Sequence, residues 1–216
     1  RILLFHGQSG AGKTHLIRAL RTGAHREHNA YFGYAQMTPD VASYADYYLR
    51  RLVHSLEKPY DPDGGHETAV SRLTTQLVDG AELISHDVLQ QLRDADLDST
   101  GLAKLVVQLS DEIVASPKFC EQELDINVVR ALLYLQRRDP SIDHRVRQYL
   151  QGRPLTELAH GAVAALDPNE GENRAFEIIS ALCRVIWTID QAALVFCIDQ
   201  VEDLRFFDDA EDRFQR

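Results

Sequence analysis

Eight residues near the start of the chain, Gly7-Gln8-Ser9-Gly10-Ala11-Gly12-Lys13-Thr14, have the types and spacing of a loop that wraps a phosphate. Glycines at 7, 10 and 12 allow backbone conformations closed to residues with a side chain, so successive N–H groups can turn inward on phosphate oxygens. The apolar run Ile2-Leu3-Leu4-Phe5 before the loop reads as a β-strand. His15-Leu16-Ile17-Arg18-Ala19-Leu20 after it reads as a helix, whose N-terminus favours anions. Gly7, Gln8, Ser9, Gly10, Ala11, Gly12, Lys13, Thr14 and His15 are therefore the expected phosphate-binding residues. Lys13 is expected to reach the β and γ phosphates of a bound nucleotide, and the Thr14 hydroxyl to be one ligand of an octahedral Mg²⁺.

A second candidate metal residue stands far along the chain. Ala192-Ala193-Leu194-Val195-Phe196-Cys197-Ile198 is a continuous apolar run that ends in Asp199. Such a run reads as a buried parallel strand presenting a carboxylate at its C-terminal edge. Asp199 is the expected Walker B acid, holding Mg²⁺ through a coordinated water opposite Thr14.

The stretch from Leu194 to Leu204 resembles the Walker B signature of the signal-transduction ATPases with numerous domains, the STAND class, including NACHT-like, KAP-like and bacterial conflict-system members. Gln200, Val201, Glu202, Asp203 and Leu204 fill the places that follow the acid in that class. The resemblance covers the two motifs and their strands. It implies a P-loop NTPase fold, hydrolysis of ATP to ADP and phosphate, and nucleotide-dependent rearrangement or self-association with attached effector domains. Ordinary AAA+ ATPases carry a catalytic Glu directly after the metal acid, where this chain has Gln200. By resemblance, Glu202 is the candidate to orient or deprotonate the attacking water, beside Lys13 as the other catalytic residue. The bland alternative for Glu202 and Asp203 is an acid pair favoured by a helix dipole. Other readings are a nucleotide-binding scaffold without turnover, and a DNA-associated AAA+ ATPase of a defence or loading system that contacts nucleic acid through regions outside this chain.

The motif strands and helical stretches, with the resemblance, imply an α/β fold, a parallel sheet flanked by helices with a large all-helical insertion. The 216 residues, 44% of them hydrophobic, with a formal net charge of −10, suit an ordinary folded core. That charge argues against a broad face gripping phosphodiester backbone. No segment has the apolar length of a membrane span. Cys120, Cys183 and Cys197 lack metal-ligand spacing and read as buried thiols of a cytoplasmic protein. Because Arg1 stands inside the expected first strand with no initiating Met or signal peptide, the chain is expected to be part of a longer polypeptide; the resemblance implies further sheet strands that do not follow Asp199 here.

Three regions should position the chemistry: residues 1–37 with the phosphate loop and a second strand, 38–168 as a helical insertion, and 169–216 with the Asp199 strand. The first helix should run from Lys13 to Arg21 or beyond, ending near Gly23, with His25 and His28 in a solvated loop. Asn29 to Gln36 reads as the second strand, lying beyond the Asp199 strand. Helical periodicity then begins at Thr38, with Pro39 and Asp40 as its start. Further helices are expected over about His66 to Ala95 (one or a pair), Ser99 to Ala115, Glu121 to Arg138, Asp143 to Leu150, Leu155 to Leu166 and Glu172 to Asp190. In the last of these Phe176, Ile179, Leu182, Ile186 and Ile189 are expected inward. The Tyr44, Tyr47, Tyr48 cluster, the Arg50-Arg51 and Arg137-Arg138 pairs and the acidic run Asp208, Asp209, Glu211 and Asp212 read as solvated faces.

Overall fold

The computed structural model describes residues 3, 5, 10–38, 41–59, 67–80, 84–171 and 173–200. They form a mostly helical architecture with a small two-stranded parallel sheet, compatible with an α/β fold. Helix α1 (Lys13–Arg26) begins directly after Gly12, and it leads to β1 (Ala30–Gln36). Helices α2 (Tyr44–Leu56), α3 (Ala69–Gly80), α4 (His86–Arg93), α5 (Ser99–Ala115), α6 (Ile126–Leu135), α7 (Pro140–Leu150), α8 (Glu157–Ala162) and α9 (Arg174–Asp190) follow. The described part closes with β2 (Ala193–Asp199), which pairs with β1 in parallel register from Ala30↔Ala193 to Gln36↔Asp199.

Capping residues set most of these boundaries. Ser43, Ser85, Asp98, Asp125, Asp139 and Thr156 each accept a backbone N–H from the first turn of the helix that follows. Pro140 stands in the first turn of α7, where its missing N–H costs nothing. Thr68 and Ser71 exchange side-chain bonds with each other's backbone N–H at the start of α3, at 3.0 and 2.9 Å.

One contiguous core joins the sheet to the helices, with Tyr31 and Phe32 of β1 buried alongside Leu49, Leu52, Leu73, Leu132, Ile178, Leu182 and Val185. Gly33 makes this approach possible, since a Cβ there would lie 2.5 Å from Leu52 Cδ1 and 2.6 Å from Phe196 Cδ2. A buried fastener closes the end of the sheet away from Asp199. Asp190 Oδ2 accepts from Tyr31 Oη at 2.5 Å and from Arg72 Nη2 at 2.7 Å, tying α9, β1 and α3 together.

Several expectations change. The helix α1 runs through Gly23 to Arg26, so His25 is helical and half-buried, with Nε2 3.4 Å from Glu67. The second helix starts at Tyr44, where Ser43 supplies the cap, and Pro39 and Asp40 lie outside the described residues. The 66–95 segment, expected as one helix or a pair, is a pair as expected, α3 and α4; His66 lies outside the described residues. Of the residues expected inward on α9, Leu182 and Ile186 are buried and Ile179 and Ile189 pack against the core, but Phe176 is 61% exposed; Ala175, Ile178, Ala181 and Val185 complete the buried stripe. The tyrosines of α2 are half-buried and hydrogen-bonded: Tyr44 to the Thr38 carbonyl, Tyr47 to the Gln36 carbonyl and Tyr48 to Met37 Sδ. Arg137 is structural too, donating to the carbonyls of Leu92, Asp94, Ala95 and Leu97. Cys120 is exposed, while Cys183 and Cys197 are half-buried with thiols pushed up by burial.

Candidate functional site

Gly12 caps α1 in the left-handed region at φ 83, and Gly10 stands at φ 80. A Cβ at either position would meet no atom within 4 Å, so these glycines are required by backbone conformation and not by crowding. No side chain caps α1, and its first turn carries no acid. The positive end of the helix dipole is thus presented without a competing carboxylate from its own first turn. Lys13, Thr14 and His15 occupy that turn; Thr14 and His15 are exposed and Lys13 half-exposed.

Asp199 meets this turn from the last residue of β2. Thr14 Oγ1 donates to Asp199 Oδ2 at 3.1 Å, across 185 positions of sequence. Tyr34 Oη donates to the same oxygen at 3.1 Å, and the Gln200 N–H donates to Oδ1 at 2.9 Å. The ladder ends in a bond from the Met37 N–H to the Asp199 carbonyl at 2.8 Å. Immediately beyond, Gln200 turns the chain with φ 60. Tyr34 pairs with Cys197 in register, which places its side chain on the same sheet face as Asp199 two residues further on. Burial pushes the Tyr34 phenol above its ordinary value; a hydrogen bond with Gln36 opposes that rise and the bond to Asp199 adds to it. The phenol is therefore a neutral donor at physiological pH.

The far edge of β1 is also held at this point. Ser55 Oγ of α2 accepts the Tyr34 N–H at 3.0 Å and lies 3.1 Å from the Tyr34 carbonyl. From α1, Arg21 donates to the carbonyls of Ser55, Lys58 and Pro59 at the C-terminal end of α2. Helices α1 and α2 and both strands are thus fixed relative to one another around the Asp199 carboxylate.

The hydroxyl of Thr14 and the carboxylate of Asp199 are hard oxygen donors, and the pair fits a Mg²⁺ that takes its other ligands from water and phosphate. Among the described residues no three His, Cys, Asp or Glu side chains gather as for an all-protein metal cage. The structure therefore brings Gly12, Lys13, Thr14 and His15 to the same place as Asp199, with Gly10 and Ala11 on the approach. Gly7, Gln8, Ser9 and Glu202 lie outside the described residues. So does most of the expected first strand, of which Leu3 and Phe5 are described and exposed. Tyr34 and Ser55 carry no motif, and their place at the site follows only from the pairing of β1 with β2 and the packing of α2. A groove of about 400 Å³ lined by Ala103, Lys104, Val107 and Ala164 shares no residue with this site. Compared with protein-family models, with curated proteins and with solved structures, the chain matches none.

Proposed function

We propose that this chain is an ATP- and Mg²⁺-binding P-loop NTPase module of the AAA+ or STAND kind, which hydrolyses ATP to ADP and phosphate and couples nucleotide state to rearrangement or assembly of the protein that contains it. The observation that carries the reading is the 3.1 Å bond between Thr14 and Asp199, which joins the first turn of a glycine-capped helix to the acid at the end of a parallel strand. Each motif alone is common. Their meeting in space is what a nucleotide–metal site requires.

In this reading the backbone N–H groups of residues 7–15 surround the phosphates, and Lys13 balances the charge of the β and γ groups. Thr14 and Asp199 hold the cation, which supplies charge neutralisation at the phosphates when bound. Glu202 orients the attacking water and accepts its proton. The water oxygen bonds to the γ-phosphorus, the bond from that phosphorus to the bridging oxygen breaks, and ADP leaves with the bonding pair. The shared core of β1 with α2, α3 and α9 gives a physical route by which nucleotide occupancy reaches the helical region.

Gln200 favours a second reading, because it puts an exposed amide in the first position after the metal acid. A chain that binds ATP and holds it without turnover would be a nucleotide-stabilised scaffold. Phosphate release from ATP by the intact protein, measured beside Lys13→Ala and Glu202→Gln, separates the two. The hydrolase reading expects Lys13→Ala to lose nucleotide binding and Glu202→Gln to keep binding while losing turnover. Tight ATP binding with no phosphate release by the wild type replaces it with the scaffold.

A further inference from the structure

Asp199 is held by three donors that differ in what else they must do. Thr14 Oγ1 belongs to the proposed cation ligands, so its geometry answers to the metal as well as to the carboxylate. The Gln200 N–H sits on the chain just past β2, at a residue in the left-handed region. Tyr34 has neither duty. Its ring stands on the same sheet face as Asp199, and its hydroxyl reaches Oδ2 at 3.1 Å. Its backbone is fixed on both sides, by the ladder to β2 on one edge and by Ser55 of α2 on the other. A half-buried aromatic ring on a doubly anchored strand residue has little freedom to move its hydroxyl away.

We propose that Tyr34 is a positioning residue for Asp199, fixing the carboxylate beside Thr14 so that a divalent cation finds its protein ligands already in place. This rests on the reading of Thr14 and Asp199 as the cation-binding pair. The role is to orient: the carboxylate turns about two side-chain torsions, and a donor on Oδ2 from the neighbouring strand restricts both. Groups that hydrogen-bond a metal ligand from outside the coordination sphere commonly govern affinity by about 10–100-fold. The bond also links the site to the helical region, since the serine that grips the Tyr34 backbone belongs to α2.

Tyr34→Phe removes the hydroxyl and keeps the ring. Mn²⁺ binding to the intact protein with ATP present, read by electron paramagnetic resonance, is expected to weaken about tenfold in this variant. ATP affinity in EDTA, and the melting temperature, should match the wild type. Unchanged Mn²⁺ affinity overturns the proposal, as does an equal loss of ATP affinity in EDTA, which would mark a general structural effect. Failure of the underlying reading has a different signature: the wild type itself shows no ATP-dependent Mn²⁺ binding, and the proposal for Tyr34 falls with it.

Discussion

Gly12 carries the most exposed dependence of backbone on residue type. At φ 83 with open space around it, an alanine would pay in backbone strain alone, on the order of 1–2 kcal/mol. With open space around it, the loop can relieve that strain by leaving φ 83 while no phosphate holds it, so Gly12→Ala is expected to change the melting temperature little and to weaken ATP binding, which restores the strained conformation, roughly tenfold. Paired melting and ATP titration curves check it; a large loss of stability with unchanged affinity would contradict it. Gly12, Lys13, Thr14 and Asp199 could be named as candidates from the sequence because the proposed chemistry is tied to fixed spacing or to the end of an apolar run. Tyr34 could not. Its contact with Asp199 spans 165 positions and depends on strand register, which no local pattern encodes.

At the scale of elements, the helices were legible from apolar periodicity, but their ends and faces depended on particular residues. The start of α2 at Tyr44 follows from the Ser43 cap, and α6 begins at Ile126 because Asp125 accepts from two N–H groups. In α9 apolar residues cover more than one face. The expected face holds at Leu182 and Ile186, which are buried, and at Ile179 and Ile189, which pack against the core; Ala175 and Ala181, small enough for close packing, also turn inward, and Phe176 alone of the expected residues lies outside. The link between α3, β1 and α9 also escaped the sequence, since Arg72, Tyr31 and Asp190 each look ordinary alone. Arg72 and Asp190 side chains are only 6% and 7% exposed. Removing one partner leaves a buried charge short of a counterion, so Arg72→Met is expected to destabilise the fold by about 3–5 kcal/mol. Urea unfolding measures this directly, and a loss below about 1 kcal/mol would show that Tyr31 alone satisfies Asp190.

For the whole molecule, a shared core makes the sheet and the helical region one cooperative unit, and pH acts on that unit through partly desolvated groups around it. Burial lowers the His25 pKa below its ordinary 6.5, with Glu67 opposing the shift. The unfolded chain therefore takes up a proton that the folded chain resists, and the contribution present above about pH 6.5 is lost as the pH falls below it. Exposed His54 acts in the same sense. Burial raises the carboxyls of Glu57 and Asp143, whose contributions have the opposite sign and belong to a more acidic range. Unfolding free energy should then decline from about pH 7 to about pH 5.5, and His25→Gln should flatten part of that slope. An unaltered slope in the variant would assign the pH response elsewhere. No helix among the described residues is long and apolar enough to cross a membrane. The most direct test of the nucleotide–metal site is calorimetric titration of ATP into the intact protein, with and without Mg²⁺, for wild type and Asp199→Ala. Saturable binding that Mg²⁺ tightens in the wild type, with the tightening lost in Asp199→Ala, is the result predicted. Absence of binding, or binding that neither Mg²⁺ nor Asp199→Ala alters, would contradict the joint role of Thr14 and Asp199.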